Sequence, residues 1–270
     1  MYLNPANTGI TGKGSLFLWH RSQWFQFEGA PNTQMLSFAY PTRHMAFGTN
    51  VYYDTDGPLT RIKGTFNFSY LVDLGLETSM SLGLNIGANH FMYDASKITT
   101  RDPEAFMNNN QNATSVAAGV GVTFFTYKWY VGISSPNIAP IKVISSDFNH
   151  SMYFLPHVNL IGGMNFEVFY NVMMLPSFVL RYAPDQPLNF DTSILFTFSD
   201  TFTVGFSYRF KAAYVLLLST KITDKFMIGY SFDLDANKIR MFNVGSHELF
   251  LRYEFPTRSG KVRFQSPRLF

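Results

Sequence analysis

Along most of this chain every second residue is apolar, and the apolar ones are large. In 202–211, Phe202, Val204, Phe206, Tyr208 and Phe210 share one face of an extended segment, opposite Thr203, Gly205, Ser207, Arg209 and Lys211. In 225–235, Phe226, Ile228, Tyr230, Phe232 and Leu234 oppose Lys225, Met227, Gly229, Ser231, Asp233 and Asp235. The same period of two recurs in 61–70, 80–90, 189–199 and 246–255, where Phe250 is the exception. Successive side chains of a strand point to opposite faces, so the pattern predicts strands and not helices. One face is uniformly bulky and aromatic, the other Gly, Ser, Thr, Asn and charge. A soluble sandwich mixes sizes in its core, whereas a barrel with a lipid-facing outer surface produces this contrast.

Strands are expected over 14–25, 31–40, 43–54, 59–71, 76–92, 113–126, 128–134, 150–166, 171–183, 188–198, 201–211, 212–222, 225–235 and 246–255. The predicted fold is therefore all-β, a transmembrane antiparallel up-and-down barrel of about 14 strands, an even number as in bacterial single-chain barrels. Alternate connections are short: "PT" (41–42), "VDLG" (72–75), "YK" (127–128), "EVFY" (167–170), "SD" (199–200) and "TD" (223–224). The long ones, 93–112, 135–149 and 236–245, all fall at the other end. Short periplasmic turns with longer external loops form the usual asymmetry of such barrels. It predicts one barrel domain over 1–256, a basic periplasmic tail over 257–270, and both termini on the periplasmic side of a bacterial outer membrane.

Composition supports the membrane reading. Of 270 residues, 46% are hydrophobic, 17% aromatic and only 14% charged, against about a quarter charged in a soluble domain. No apolar run approaches the roughly 18 residues of a spanning helix, and the most apolar stretch, "AAYVLLLS" (212–219), is short and flanked by Arg209, Lys211 and Lys221. A net charge of +3 with no basic stripe argues against nucleic acid as a partner. The absence of cysteine removes disulfides and thiolate metal sites. "MYLNPANTG" carries no secretory-signal pattern, so for an exported protein Met1 is not expected to be the start of translation.

Candidate chemistry is sparse. His150–Ser151 and Ser246–His247 are sequence neighbours, and neighbours on a strand face opposite ways, so neither pair forms a base and nucleophile. The six histidines are scattered without a metal-ligand spacing, and neither catalysis nor a metal or other cofactor is expected. Fourteen strands leave a lumen that side chains alone do not fill. Arg21, Gln23, Gln34, Arg61, Arg209, Asp233, Asp235, Glu248 and Arg252 are the polar residues expected to form a network there. They either brace the wall or line a path, and spacing does not separate the two. Phe106, Asn108, Asn110, Phe148 and Tyr153, in or beside the long loops, are candidates for gripping a partner. Arg258, Lys261, Arg263, Arg268 and Phe270 are candidates in the tail.

Three segments carry a resemblance. The start reads "YLNPANTG" (2–9), then "HRSQWFQFEGAPNTQMLSF" (20–38); the middle holds "LPSFVLRY" (175–182) and "GFSYR" (205–209). The end holds "IGYSFD" (228–233), "GSHELFLRY" (245–253) and "SPRLF" (266–270). The chain resembles the PorP/SprF family of outer-membrane barrels associated with type IX secretion and gliding motility in the Bacteroidetes. The resemblance implies a non-enzymatic barrel that supports export or surface anchoring of particular cargo proteins bearing a C-terminal sorting domain. It also implies outer-membrane lipid around the barrel and association with periplasmic ring lipoproteins. The alternative from another class is a passive outer-membrane channel for small or hydrophobic solutes.

Overall fold

The computed structural model describes residues 1–27, 29–75, 77–97, 111–138, 141–145, 151–236 and 244–257, without the side chains of 111, 141–145 and 151–154. Its strands are β1 (Gly14–Ser22), β2 (Asn32–Pro41), β3 (Met45–Asp56), β4 (Leu59–Asp73), β5 (Ser79–Tyr93), β6 (Gln111–Phe125) and β7 (Trp129–Ser135). A separate hairpin follows, β8 (Ile141–Ser145) and β9 (Ser151–Phe154), then β10 (Val158–Met164), β11 (Phe166–Phe169), β12 (Val172–Tyr182) and β13 (Asn189–Phe198). The last four are β14 (Phe202–Arg209), β15 (Ala213–Thr223), β16 (Phe226–Asp235) and β17 (Ser246–Phe255). Every pairing is antiparallel, neighbours follow chain order, and β1 pairs with β17. With β10 and β11 forming one wall strand, this is a closed all-antiparallel barrel of 14 strands.

The junction of β10 and β11 departs from the expected chain path for a local reason. Gly163 opposes Ser177 and Phe166 opposes Met174 in the same register, so the ladder only pauses at Met164–Asn165. Pro176 stands across the pause and has no N–H to donate. The Asn165 N–H faces the other neighbour and donates to the Lys128 carbonyl at 2.6 Å, continuing the register of β10 with β7. The strand resumes through Phe169, so "EVFY" is largely strand, and the turn lies at Tyr170–Asn171. The expected strand over 150–166 begins instead at Val158, and the long connection before it contains the β8–β9 hairpin. The other strands begin and end within about three residues of expectation, and the three long connections share one end of the barrel.

Outside, Phe66 and Tyr70 on β4, Leu82, Leu84 and Ile86 on β5, and Tyr214 and Leu216 on β15 stand exposed. Their inward neighbours are Thr65, Ser69, Ser81, Asn85 and Leu217, all buried. Phe250 follows the alternation by position: it faces the lumen, where its ring occupies the space a side chain at Gly229 would need. The interior is not polar throughout. Leu71, Phe125, Tyr130, Ile161, Leu175, Leu195 and Leu217 line the arc from β4 to β15, with Ile10 of the N-terminal segment packed among them.

Leu195→Ala is expected to lower unfolding free energy in detergent by about 2–5 kcal/mol, the usual cost of a cavity at a buried leucine. Leu84→Ala, on the outer face, should cost much less; equal losses in a denaturant titration would contradict an apolar layer inside the barrel.

Candidate functional site in the lumen

Residues 1–13 lie inside the barrel. The segment enters beside Gly14 and climbs the inner wall of β3–β10, with a short 3-10 turn at Pro5–Asn7. Turn bonds within the segment satisfy the Asn4, Pro5, Asn7 and Gly9 carbonyls, and the buried carbonyls left over need other donors. The wall supplies them: Ser69 donates to the Thr8 carbonyl at 2.8 Å, Ser81 to Ala6 at 2.7 Å and Ser134 to Leu3 at 2.7 Å. The Asn159 amide also donates to Leu3, at 3.0 Å.

Asn4 fixes the segment at both ends of its side chain. Its oxygen caps the Ala6 N–H at 2.9 Å, and its amide donates to Thr123 Oγ1 at 3.0 Å. Thr123 in turn donates to Asn7 Oδ1 at 2.8 Å, so one hydroxyl joins two segment residues. The approach is close enough to demand glycine on the wall. A β-carbon at Gly83 would overlap the Ala6 backbone, and one at Gly121 would overlap Asn4 Oδ1.

The opposite wall carries charge. Arg21 on β1 and Arg209 on β14 both reach Asp233 Oδ2 on β16, at 2.9 and 2.5 Å. Both also meet Glu248 on β17, Arg209 at 3.3 Å. Arg209 spans β15 to reach Asp233, passing the small buried Ala213 that opposes it in register. Trp19 Nε1 donates to Glu248 at 3.2 Å, and Gln23, with its amide oxygen toward Arg21, accepts at 3.0 and 2.9 Å. Two cations and two carboxylates thus tie β14, β16, β17 and β1 together across the strand that closes the barrel.

Four of the expected network residues, Arg21, Arg209, Asp233 and Glu248, are therefore brought together, with Gln23 beside them. Gln34 is not: it opposes His20 and Tyr53 on the outer face, exposed near the long-loop end. Asp235 faces inward but forms no ion pair among the described residues. Arg252 lies lower in the lumen, its guanidinium 5.7 Å from the Phe17 ring centre. Arg61 belongs to a separate group on the far wall, donating to Asn89 Oδ1 at 3.1 Å. Phe106, Asn108, Asn110, Phe148, Arg258, Lys261, Arg263, Arg268 and Phe270 lie outside the described residues, as does the side chain of Tyr153 on β9.

Near Arg61 the lumen gathers cations. Lys63 donates to Asn137 Oδ1 at 3.0 Å and sits 5.8 Å from the Tyr2 ring, which stacks on Tyr52 at 5.2 Å. Arg181 donates to Asn159 at 3.3 Å. His157, in the connection before β10, is held neutral to a pKa of about 4, first by burial and then by Arg181, Lys63 and Arg61. None of this was legible as a site, because Lys63, Arg181 and Tyr2 are far apart in sequence. For the weighed catalytic pair, Ser246 accepts from the Trp24 N–H at 3.2 Å on one face of β17 while His247 bonds the Tyr230 hydroxyl at 2.6 Å on the other. Among the described residues no three His, Asp or Glu side chains cluster as metal ligands.

Residues 1–253 match the family described as type IX secretion system membrane protein PorP/SprF. The chain belongs to that family and is an outer-membrane barrel of type IX secretion. No curated protein sequence matches it. Among solved structures it is similar in fold to a monoaromatic hydrocarbon channel, CymD, at 12% identity, TM-score 0.53, covering 95% of this chain and 92% of that one. A FadL homologue from Pseudomonas aeruginosa is similar at 10% identity and TM-score 0.52, covering 93% and 92%. At such identities the likeness concerns the barrel alone.

The chain has no cysteine, so Ala6→Cys reports directly on the lumen segment. It is expected to resist maleimide in the folded barrel and to react at least tenfold faster once Gly83→Val forces the segment off the wall. Equal rates would show that residues 1–13 are not held there. Asp233→Ala leaves two guanidiniums facing one carboxylate and should cost about 3–5 kcal/mol of unfolding free energy, as for other broken buried pairs. Since His157 resists protonation in the fold and not in the unfolded chain, stability should fall as pH drops from about 6.5 to about 4. His157→Gln should remove that part of the slope in thermal melts.

Proposed function

We propose that this barrel serves type IX secretion as a non-enzymatic holder of specific cargo, exporting or retaining at the cell surface proteins that bear a C-terminal sorting domain. The single observation that carries the reading, beside family membership, is the occupied lumen. Leu3, Ala6 and Thr8 are bonded to the wall through their backbones, and Ile10 sits in an apolar layer. A barrel filled by its own chain is suited to presenting its rims and loops, not to passing a polypeptide.

In this reading the short-turn end faces the periplasm, with the tail 257–270 available to periplasmic ring lipoproteins through Arg258, Lys261, Arg263 and Arg268. The long connections face outward, and Phe106, Asn108, Asn110, Phe148 and Tyr153 in or beside them are the candidates for gripping a sorting domain. Loop surfaces on a rigid barrel vary without disturbing the wall, which suits a family of cargo-specific barrels.

The second reading is a passive channel for small or hydrophobic solutes. It draws on the fold likeness to structures described as monoaromatic hydrocarbon channels, and the lumen segment weighs against it.

Deleting the protein is expected to abolish surface display of a small set of sorting-domain proteins while other such proteins still appear. Unchanged display of every one would sink the proposal. In planar bilayers the intact barrel should show no steady conductance; reproducible open-channel current would favour the second reading.

A further inference from the structure

Two walls of one lumen treat charge in opposite ways. On β14, β16, β17 and β1 the arginines Arg21 and Arg209 each meet two carboxylates. On the other wall, Lys63 and Arg181 are bonded to amide oxygens, those of Asn137 and Asn159. Neither forms an ion pair among the described residues. Lys63 is only 5% exposed. A buried ammonium held by neutral acceptors is costly unless an anion joins it.

The nearest carboxylate by register is Asp54, opposite Arg61, and it is bonded to the Thr33 hydroxyl at 2.6 Å. A second, independent observation is a free donor on the same wall. Asn89 opposes Lys63 in register and is fully buried, its oxygen accepts from Arg61, and its Nδ2 has no partner among the described residues. The floor of the group is the lumen segment itself: Tyr2 lies under Lys63, and Leu3 is bonded to Asn159.

We propose that Lys63, Arg181, Arg61 and the Asn89 amide, floored by Tyr2, form a binding site for a carboxylate group inside the long-loop half of the lumen. The ligand class is a carboxylate, as a free organic acid or as an acidic side chain or chain end of a peptide. Two guanidiniums and an ammonium offer charge-assisted donors to its oxygens, and the Asn89 N–H completes the set. The acid–base quartet on the far wall carries no net charge and does not compete. The site requires residues 1–13 in place, because Tyr2 and Leu3 form its base, so ligand and lumen segment stabilise one another. This inference stands on the lumen alone and does not depend on the cargo reading above.

The test is calorimetric titration of the full chain in neutral detergent at pH 7 and fixed chloride, with citrate, hexaglutamate and hexaglutamine as probes. Saturable binding of citrate or hexaglutamate is expected, with none for hexaglutamine. Lys63→Gln and Arg181→Gln should each weaken it at least tenfold, whereas Lys225→Gln, exposed in a short turn, should leave it unchanged. Hexaglutamate binding much tighter than citrate would identify a peptide as the source of the carboxylate, and equal affinities a free acid. Should the lysine and arginine variants fail to fold, Asn89→Asp places a carboxylate within the site and should abolish binding in a folded barrel. Absence of saturable binding by both acids, or affinities unchanged in these variants, would overturn the proposal.

Discussion

A chain that leaves regular structure inside a protein must find donors for every carbonyl it buries, and that requirement organises one half of this barrel. The carbonyls of Leu3, Ala6 and Thr8 are met by Ser134, Ser81 and Ser69, one inward position on each of three strands. Serine is short, so the segment must come very near the wall. That nearness explains why Gly83 and Gly121 lack side chains and why Thr123 can join Asn4 to Asn7. The serines, threonine and glycines that meet the segment on the inner face of β4–β7 thus form the negative of a peptide. Each such hydrogen bond contributes only about 1 kcal/mol net, but an unmet buried carbonyl costs more. The segment and its wall therefore hold as a unit or not at all.

The other half of the barrel solves a different problem. Among the described residues no peptide segment lines the inner face of β14–β17 and β1, where Arg21, Arg209, Asp233 and Glu248 satisfy one another. Arg209 reaches over β15 because Ala213 is small, and Asp233 accepts both guanidiniums on one oxygen. This arrangement crosses the β1–β17 pairing, where the barrel closes on strands more than two hundred residues apart in sequence. Closing such a contact late carries a chain-entropy cost, and a charge network bridging it favours one register over a slipped one. A slip by one residue would turn Arg21 and Glu248 toward lipid.

The strands were legible because a barrel wall obeys one rule at every position, and the rule survives even where a residue looks wrong for it. Phe250 breaks the chemical pattern yet follows the geometric one, facing inward over Gly229. Gln34 shows the converse. Its neighbours Leu36 and Phe38 face outward, so parity assigns it outward too, and reading it into the lumen put polarity ahead of position. The pause between β10 and β11 hinged on a partner: Pro176 is visible in the sequence, but its effect falls opposite it at Met164, across a pairing that no local signal reveals. The lumen segment was the least legible element. "NPANTG" has no period, and Ser69, Ser81 and Ser134 are indistinguishable in sequence from any other inward serine until the segment lies against them.

These two walls together constrain what the barrel can do. A path for a large substrate would have to displace a segment anchored at Leu3, Asn4, Ala6 and Thr8, or else part a closing pair tied by four charges. Both routes break several satisfied buried groups at once, and the cost of stranding such groups exceeds what a loosely bound solute returns. A partner that engages the rims breaks none of them. The interior then acts as the rigid support that fixes the spacing of the rims, in the way a second shell fixes a first. The sequence devoted to the lumen, from the asparagine of "NPANTG" to the glutamate of "GSHELFLRY", maintains that support, and variation in the connections above it can alter recognition without loosening the wall.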